Sequence, residues 1–318
     1  MTGRTLVSAT VALIMLLTAC GPSTPSSNAS SSLTKVDSIA SEVPADMLKQ
    51  APWQLATDAN GNAPGEYVDP ATDKMVGSDI ELGNELCAVM GVACTWNNVP
   101  FDDLIVQLKG GKYVFSIAGM TPRVAREEAG IDFITYFKAG EVWVELADGP
   151  QINSAVDMCG RRLATTSGIV EESDAWGFMG MEVGGKPIPG ATNYCKAAGK
   201  PDITVLSFPS EPQADATLLS GRSDMVWTDE GVGDWIVHQS NGKLKVAGKA
   251  CSVGRYGIAL VRGSQLEKAI TDALKYLIDK GHYIKIFEKW GNAGGAIASS
   301  DVALNDNSTV GASCVPKY

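Results

Sequence analysis

The chain has 318 residues, is 45% hydrophobic and 19% charged, and carries a formal net charge of −10. That length leaves room for two compact lobes after any leader is removed. The acidity speaks against nucleic acid as a partner, because phosphates must be neutralised by clustered Lys and Arg.

In chain order, the first feature is an apolar run at residues 6–17 behind Arg4, the charged and apolar parts of an export signal. It falls short of the roughly 20 apolar residues that cross a bilayer. The run closes on Leu17-Thr18-Ala19-Cys20, which resembles the lipobox of bacterial lipoproteins. The resemblance implies a signal peptide at residues 1–19 and a diacylglycerol (and palmitate) anchor on Cys20. Residues 21–32 are nearly all Ser, Pro, Thr, Gly and Asn, so residues 20–50 are expected to be the lipidated Cys and a flexible tether. No second apolar stretch of membrane length follows, and the body is expected outside the cell membrane, on its extracytoplasmic face. Export permits disulfides. With Cys20 assigned to lipid, six of the seven cysteines remain and admit several pairings. Cys87 and Cys94 flank the end of a helix-like stretch, and Cys159 and Cys195 share the middle region. Cys251 and Cys314 are left to tie the tail back.

The body opens at residues 53–58, short and apolar enough for a strand with a polar end. From Asp79, apolar Ile80, Leu82, Leu86, Val89 and Met90 recur at helical spacing, and Gly91 stops them. A strand at 94–96, a helix from Asp102 to Leu108 and a strand at 113–118 come next. Residues 141–146 alternate apolar and polar, a strand leading away into a second series at 163–166, 170–178, 203–208, 214–219, 225–228 and 233–238. A strand at 256–261 and helices at 265–278 and 282–290 close the pattern. Such alternation predicts α/β architecture with largely parallel sheets.

Catalytic signatures are missing. There is no GxSxG elbow, Walker loop or Rossmann fingerprint. No paired CxxC exists, and His238 and His282 lack ligand spacing, so neither metal nor cofactor is expected. Both histidines fall at helix ends and read as surface or structural. Asp102-Asp103 and Glu171-Glu172 fall at helix starts, where acids favour the macrodipole. Binding is better supported. Gly119 and Thr121 end a strand, where open α/β sheets place ligands. Arg126 suits a bidentate pair with a carboxylate, although from spacing alone a solvated helix face is the more ordinary reading of it and of Arg123. Asp229 ends another strand, where it either holds an ammonium or caps the next helix.

Six segments in order resemble those of the family 3 extracellular solute-binding proteins, the polar amino-acid receptors of ABC importers. Val76-Gly77-Ser78-Asp79-Ile80-Glu81-Leu82 is similar to their "GFDvDL", residues 99–105 to "vpfddLIpaL", and Ile117-Ala118-Gly119-Met120-Thr121 to "iiaGmt". Residues 221–230 resemble "GrvDavvtDe", and residues 256–260 and 289–291 the closing segments. The resemblance implies a two-lobed type II periplasmic-binding fold of α/β class with two hinge strands. Residues 51–140 plus 249–318 would form the first lobe and 141–248 the second. It implies an amino acid or related zwitterion in the interlobe cleft, delivery to a membrane permease, a monomer and no enzyme activity.

By the same resemblance Arg126 holds the α-carboxylate, Asp229 the α-ammonium, Gly119 and Thr121 lend backbone and hydroxyl contacts, and Phe101 packs on the ligand. Ser167-Gly168-Ile169-Val170 stands where the family has "sGtt", so Ser167 and Val170 clamp from the second lobe without its two threonines. An extra residue before Ile131 leaves Arg123 as the alternative carboxylate holder. The first ligand loop, Asn62-Ala63-Pro64-Gly65-Glu66, lacks the family's aromatics and makes an Asn60 or Asn62 contact expected instead. Cys87–Cys94 and Cys159–Cys195 match bridges of some members. The alternatives are a sensory receptor and a dehydratase on the same fold using Glu66 or Glu230.

Overall fold

The computed structural model describes Met1 and residues 33–309 and 311–316. The rest of the expected signal peptide, Cys20 and the Ser-rich start of the tether lie outside the described residues. Two single helical turns come first, α1 (Asp37–Ala40) and α2 (Ala45–Leu48). Ile39 and Val43 are buried in a core, and Trp53 Nε1 donates to the Met47 carbonyl at 2.9 Å. The tether expected to reach residue 50 is therefore shorter, because these apolar side chains find a surface to cover.

The first lobe then builds β1 (Trp53–Thr57), the hairpin β2 (Tyr67–Asp69) and β3 (Lys74–Val76), α3 (Ser78–Met90), β4 (Cys94–Asn98), α4 (Phe101–Lys109) and α5 (Val124–Glu128). The periodic residues of α3 are buried as their spacing requires, and Gly91 ends it at φ 74°, a left-handed cap that suits glycine. β5 (Ile131–Leu146) leads into the second lobe: β6 (Arg162–Thr166), α6 (Val170–Phe178), α7 (Tyr194–Ala197), β7 (Thr204–Phe208), α8 (Glu211–Leu219), β8 (Met225–Asp229), α9 (Glu230–Gln239) and β9 (Leu244–Val246). β10 (Cys251–Val261) returns to the first lobe, which α10 (Glu267–Asp279) and α11 (His282–Trp290) complete.

The sheet is mixed rather than largely parallel. β1 and β4, and β6 with β7 and β8, pair in parallel, but β5 runs antiparallel to β10, β8 and β9. With 16 residues β5 is far longer than the strand expected at 141–146: it pairs with β10 from Ile131 to Ala139 and again at Glu141, and with β8 from Glu141. β5 and β10 are the two strands that join the lobes. The strand expected at 113–118 shrinks to bridges at Ser116, which sits between Ala56 and Ala259 and links β1 to β10.

Each lobe has its own core. Trp53, Leu86, Tyr136, Ile258, Leu274 and Phe287 anchor the first; Trp143, Leu163, Phe178 and Trp227 anchor the second. Cys314 and Val315 belong to the second core, so the tail does not stay with the first lobe as its expected boundary implied. The bridge between Cys314 and Cys251 holds it there, and Cys87–Cys94 and Cys159–Cys195 are the other two disulfides.

Candidate functional site

Strand ends and helix starts of both lobes converge on one cleft. It is lined by Asp58, Asn60, Asn62, Phe101, Gly119, Thr121 and Arg126 from the first lobe, and by Thr166, Ile169, Val170, Glu171, Glu211, Thr228 and Asp229 from the second. Its free volume is about 40 Å³, room for a few waters. The second-lobe residues lie at or just beyond the carboxyl ends of β6, β7 and β8, where open α/β sheets leave a crevice.

Arg126, in α5, is the cation of this cleft. Its Nη1 donates to the Thr121 carbonyl at 2.7 Å and its Nη2 to the Gly168 carbonyl at 2.8 Å, one bond in each lobe. A guanidinium has five donors in a planar fork, so two such bonds set its plane without using its capacity. Burial and the neighbouring Arg123 push it down to about 10. Arg123 instead pairs with Asp174 of α6 at 3.0 Å, which places it outside the cleft lining. Phe101 lies with its ring 5.3 Å from Arg126 Cζ, close enough for the ring face to attract the cation.

Asp229 ends β8 and occupies the N-cap position of α9 without making a side-chain capping bond. Its carboxyl takes the Tyr256 hydroxyl instead, and burial, aided by repulsion from Glu211, pushes it up to about 7. Beside it Glu171 has both carboxyl oxygens buried without a hydrogen-bond partner, and burial with the Asp229 charge raises it well above the usual range. Glu211 accepts from Thr166 Oγ1 at 2.7 Å through one oxygen, and its other oxygen is buried without a partner. Asp58 accepts from the Phe101 and Asn60 backbone N–H groups at 3.0 Å and 3.1 Å. The lining thus carries four carboxyls against one guanidinium.

Several expectations change. The N–H of Gly119, at φ 55°, donates inward to Asp79 and to the Tyr136 oxygen, so it does not face a ligand. Ser167 is absent from the lining; its N–H pairs with the Phe208 carbonyl, and the wall there is Thr166, Ile169 and Val170. Glu171 and Glu172 part company: Glu172 accepts from the Gly168 N–H at 2.7 Å and from Ser207, whereas Glu171 turns to the cleft. Asn62 reaches the lining but its amide donates to Glu66 at 2.6 Å. Gly168 is required where it stands, because a Cβ there would meet Asp102 Oδ1 of the facing lobe at 1.8 Å. Asp58, Thr166, Glu171, Glu211 and Thr228 escaped the sequence reading. Only the strand-end threonines carried a usable signal. His238 and His282 do not line the cleft, and among the described residues no group of three or more His, Cys, Asp or Glu is arranged for a metal. No helix among them is long and apolar enough to cross a membrane.

A family model, bacterial extracellular solute-binding proteins, family 3, matches residues 54–293. Arginine-binding protein ArgT of Corynebacterium glutamicum is 26% identical over 74% of this chain and 74% of its own length. The putative ABC transporter arginine-binding protein 2 of Escherichia coli K12 is 26% identical over 74% of this chain and 89% of its own. Among solved structures, an ancestral arginine-binding protein bound to glutamine superposes with a TM-score of 0.63 at 31% identity, covering 76% of this chain and 97% of that one. The arginine-, lysine-, histidine-binding protein ArtJ of Geobacillus stearothermophilus gives a TM-score of 0.63 at 26% identity, covering 75% and 94%.

Proposed function

The chain belongs to the bacterial extracellular solute-binding proteins, family 3, and from that premise we propose that it is the substrate-binding protein of an ABC importer, taking an amino acid between its lobes. The observation that carries this reading is the placing of Arg126 and Asp229 on one cavity from opposite lobes, with Asp229 at a helix start yet not capping it. Burying a zwitterion costs heavily unless both charges are paired. Arg126 takes the α-carboxylate and Asp229 the α-ammonium, so the ligand bridges the lobes and holds them closed. A permease then distinguishes the closed form from the open one.

The remaining lining favours a cationic side chain. With Asp229 engaged by the ammonium, Asp58, Glu171 and Glu211 still face the cavity, and three oxygens of the two glutamates are buried without a donor. A guanidinium or second ammonium supplies those donors. The relatives named for arginine agree with this choice. Export is supported by the pairing of all six remaining cysteines as disulfides, which persist in oxidising compartments. The lipid anchor on Cys20 keeps the receptor beside its permease.

A thermal-shift panel of amino acids tests the reading. Arginine, lysine and ornithine should raise the melting temperature and glutamate should not, and a ligand at 100 times its Kd adds about 2.7 kcal/mol. Arg126→Ala should abolish the shift while leaving the far-UV circular dichroism intact. A panel in which no amino acid shifts the protein ends the reading.

A further inference from the structure

Beneath the cleft lie two carboxyls that ligand binding leaves unused. Glu66 is fully buried, and Asp79, in the first turn of α3, is 3% exposed. Asp79 Oδ2 accepts the Tyr136 hydroxyl and the Gly119 N–H, the latter at 3.3 Å. Glu66 Oε1 accepts Asn62 Nδ2 at 2.6 Å, while its Oε2 is buried with no donor. Asn62 and Gly119 are the two ends of this chain of contacts, and both line the cleft. The two loops also touch: a Cβ at Gly119 would stand 3.2 Å from Asn62 Nδ2.

An ionised Glu66 would be a buried anion against a second anion, with an oxygen that nothing satisfies. A protonated Glu66 resolves both faults, since its O–H becomes a donor and Asp79 is the acceptor beside it. We propose that Glu66 and Asp79 share one proton, with Glu66–OH donating to Asp79, and that this pair and Tyr136 are positioning residues fixing the Asn62 and Gly119 loops at the floor of the ligand cleft. The proposal rests on reading that cleft as the amino-acid site. The proton stays on Glu66 because burial and the Asp79 charge raise it well above the usual range. Burial raises Asp79 as well, but less than Glu66, because Tyr136, Gly119 and Ser78 all donate to it and favour its charged form. Asp58 is the further charge pressing on Glu66, and Tyr283 of α11 faces Asp79. The adjoining cavity of about 520 Å³ adds Lys138, Glu230, Asp234, His238 and Tyr256.

The test is calorimetric titration with whichever amino acid gives the largest thermal shift, from neutral to alkaline pH. Tyr136→Phe should weaken binding about fivefold, the loss of one buried hydrogen bond. Glu66→Leu should weaken it about tenfold, and Glu66→Gln, which keeps a donor towards Asp79 and an acceptor for Asn62, should recover most of that loss. The native protein should lose affinity on the alkaline side more steeply than Glu66→Gln, because only the native pair has a proton to give up. The ligand's own ammonium titrates in both proteins, so the difference between them is the readout. The unliganded melting temperature should also fall with alkaline pH in the native protein and less in Glu66→Gln, a comparison that needs no ligand. Equal affinities and equal pH profiles in all these variants would overturn the proposal alone. A native protein that bound no amino acid would overturn it together with the functional reading.

Discussion

At the scale of single residues, Asp229 sets the pH response of the site. Burial raises its pKa from the ordinary 3.8 to about 7, so the folded protein holds its proton where the unfolded chain has released it. Its contribution to folding stability is therefore full below about pH 4 and is lost as pH rises through about 7. Ligand binding runs the other way. In the proposed reading the ammonium needs the charged carboxylate, so the Asp229 contribution to affinity should climb by up to about tenfold per pH unit below 7 and stop climbing above it. Calorimetry across that range should show the climb. Asp229→Asn should lower the affinity and remove about one proton from the slope, and an unchanged slope would place the ammonium elsewhere. Glu171 and Glu211 are raised by burial as well, so a residual slope in that variant belongs to them. Arg126 stays charged throughout, and its part is geometric: two carbonyls, one from each lobe, fix its plane.

At the scale of elements, the tail beyond α11 behaves unlike its sequence. Residues 294–309 and 311–316 fall outside the matched family segment yet are tied down at several points. The Thr135 N–H donates to the Ala303 carbonyl and the Asn305 N–H to that of Phe133, along β5 of the first lobe. Arg255 pairs with Asp306 at 3.2 Å. The Ser252 N–H then bonds the Ala312 carbonyl, and Cys314 joins Cys251 at the second lobe's core. The tail thus follows both linking strands across the hinge. Its disulfide closes a separation of 63 residues, for which chain entropy allows about 4 kcal/mol of stabilisation. Replacing both Cys251 and Cys314 by Ser should lower the unfolding free energy by about 2–4 kcal/mol in urea titrations. A change within about 0.5 kcal/mol would mean that the noncovalent contacts suffice. The expected positions of α3 and α11 agree with those observed because each buries apolar residues at helical spacing, whereas α6, also found where expected, buries Glu171, Glu172 and Asp174 beside Val170, Ala175 and Phe178. Residues 113–118 were equally apolar, but only Ser116 finds partners on both sides, which apolarity does not report.

At the scale of the whole molecule, two lobes with separate cores meet across a cleft that charged contacts span. Arg123 of α5 pairs with Asp174 of α6, and Arg126 of α5 bonds the Gly168 carbonyl before α6. Both contacts join lobes that only β5, β10 and the tail connect covalently, so hinge motion must break them. In the proposed reading, ligand charges that satisfy Arg126 and Asp229 replace part of that loss. The proposed anchor belongs to the same scale, since it decides where the receptor works. Cys20→Ser should move the protein from the membrane fraction to the soluble extracytoplasmic fraction with its ligand affinity unchanged. Retention in the membrane fraction would assign the anchoring to another segment.

The sequence by itself determined what local chemistry determines. Apolar spacing set the helices, strand-end residues set Thr121 and Asp229, and the ordered segments around Gly119 and Asp229 specified the family and with it the two-lobed fold. Charge argued against nucleic acid as a partner, and the cysteine count made three bridges reasonable. Tertiary structure decided whatever depends on two distant segments meeting. Only folding brings Glu171 and Glu211, which look like ordinary helix-start acids, to the same cavity as Asp229. It also sends Arg123 to Asp174 and Arg126 to the cleft, a choice that two arginines three residues apart in one short segment do not declare. The Gly119 N–H turns inward because Asp79 and Tyr136, 40 residues before it and 17 after it, wait there as acceptors. Periodicity reads the burial of one element against water. It does not read the partner that each buried charge will find.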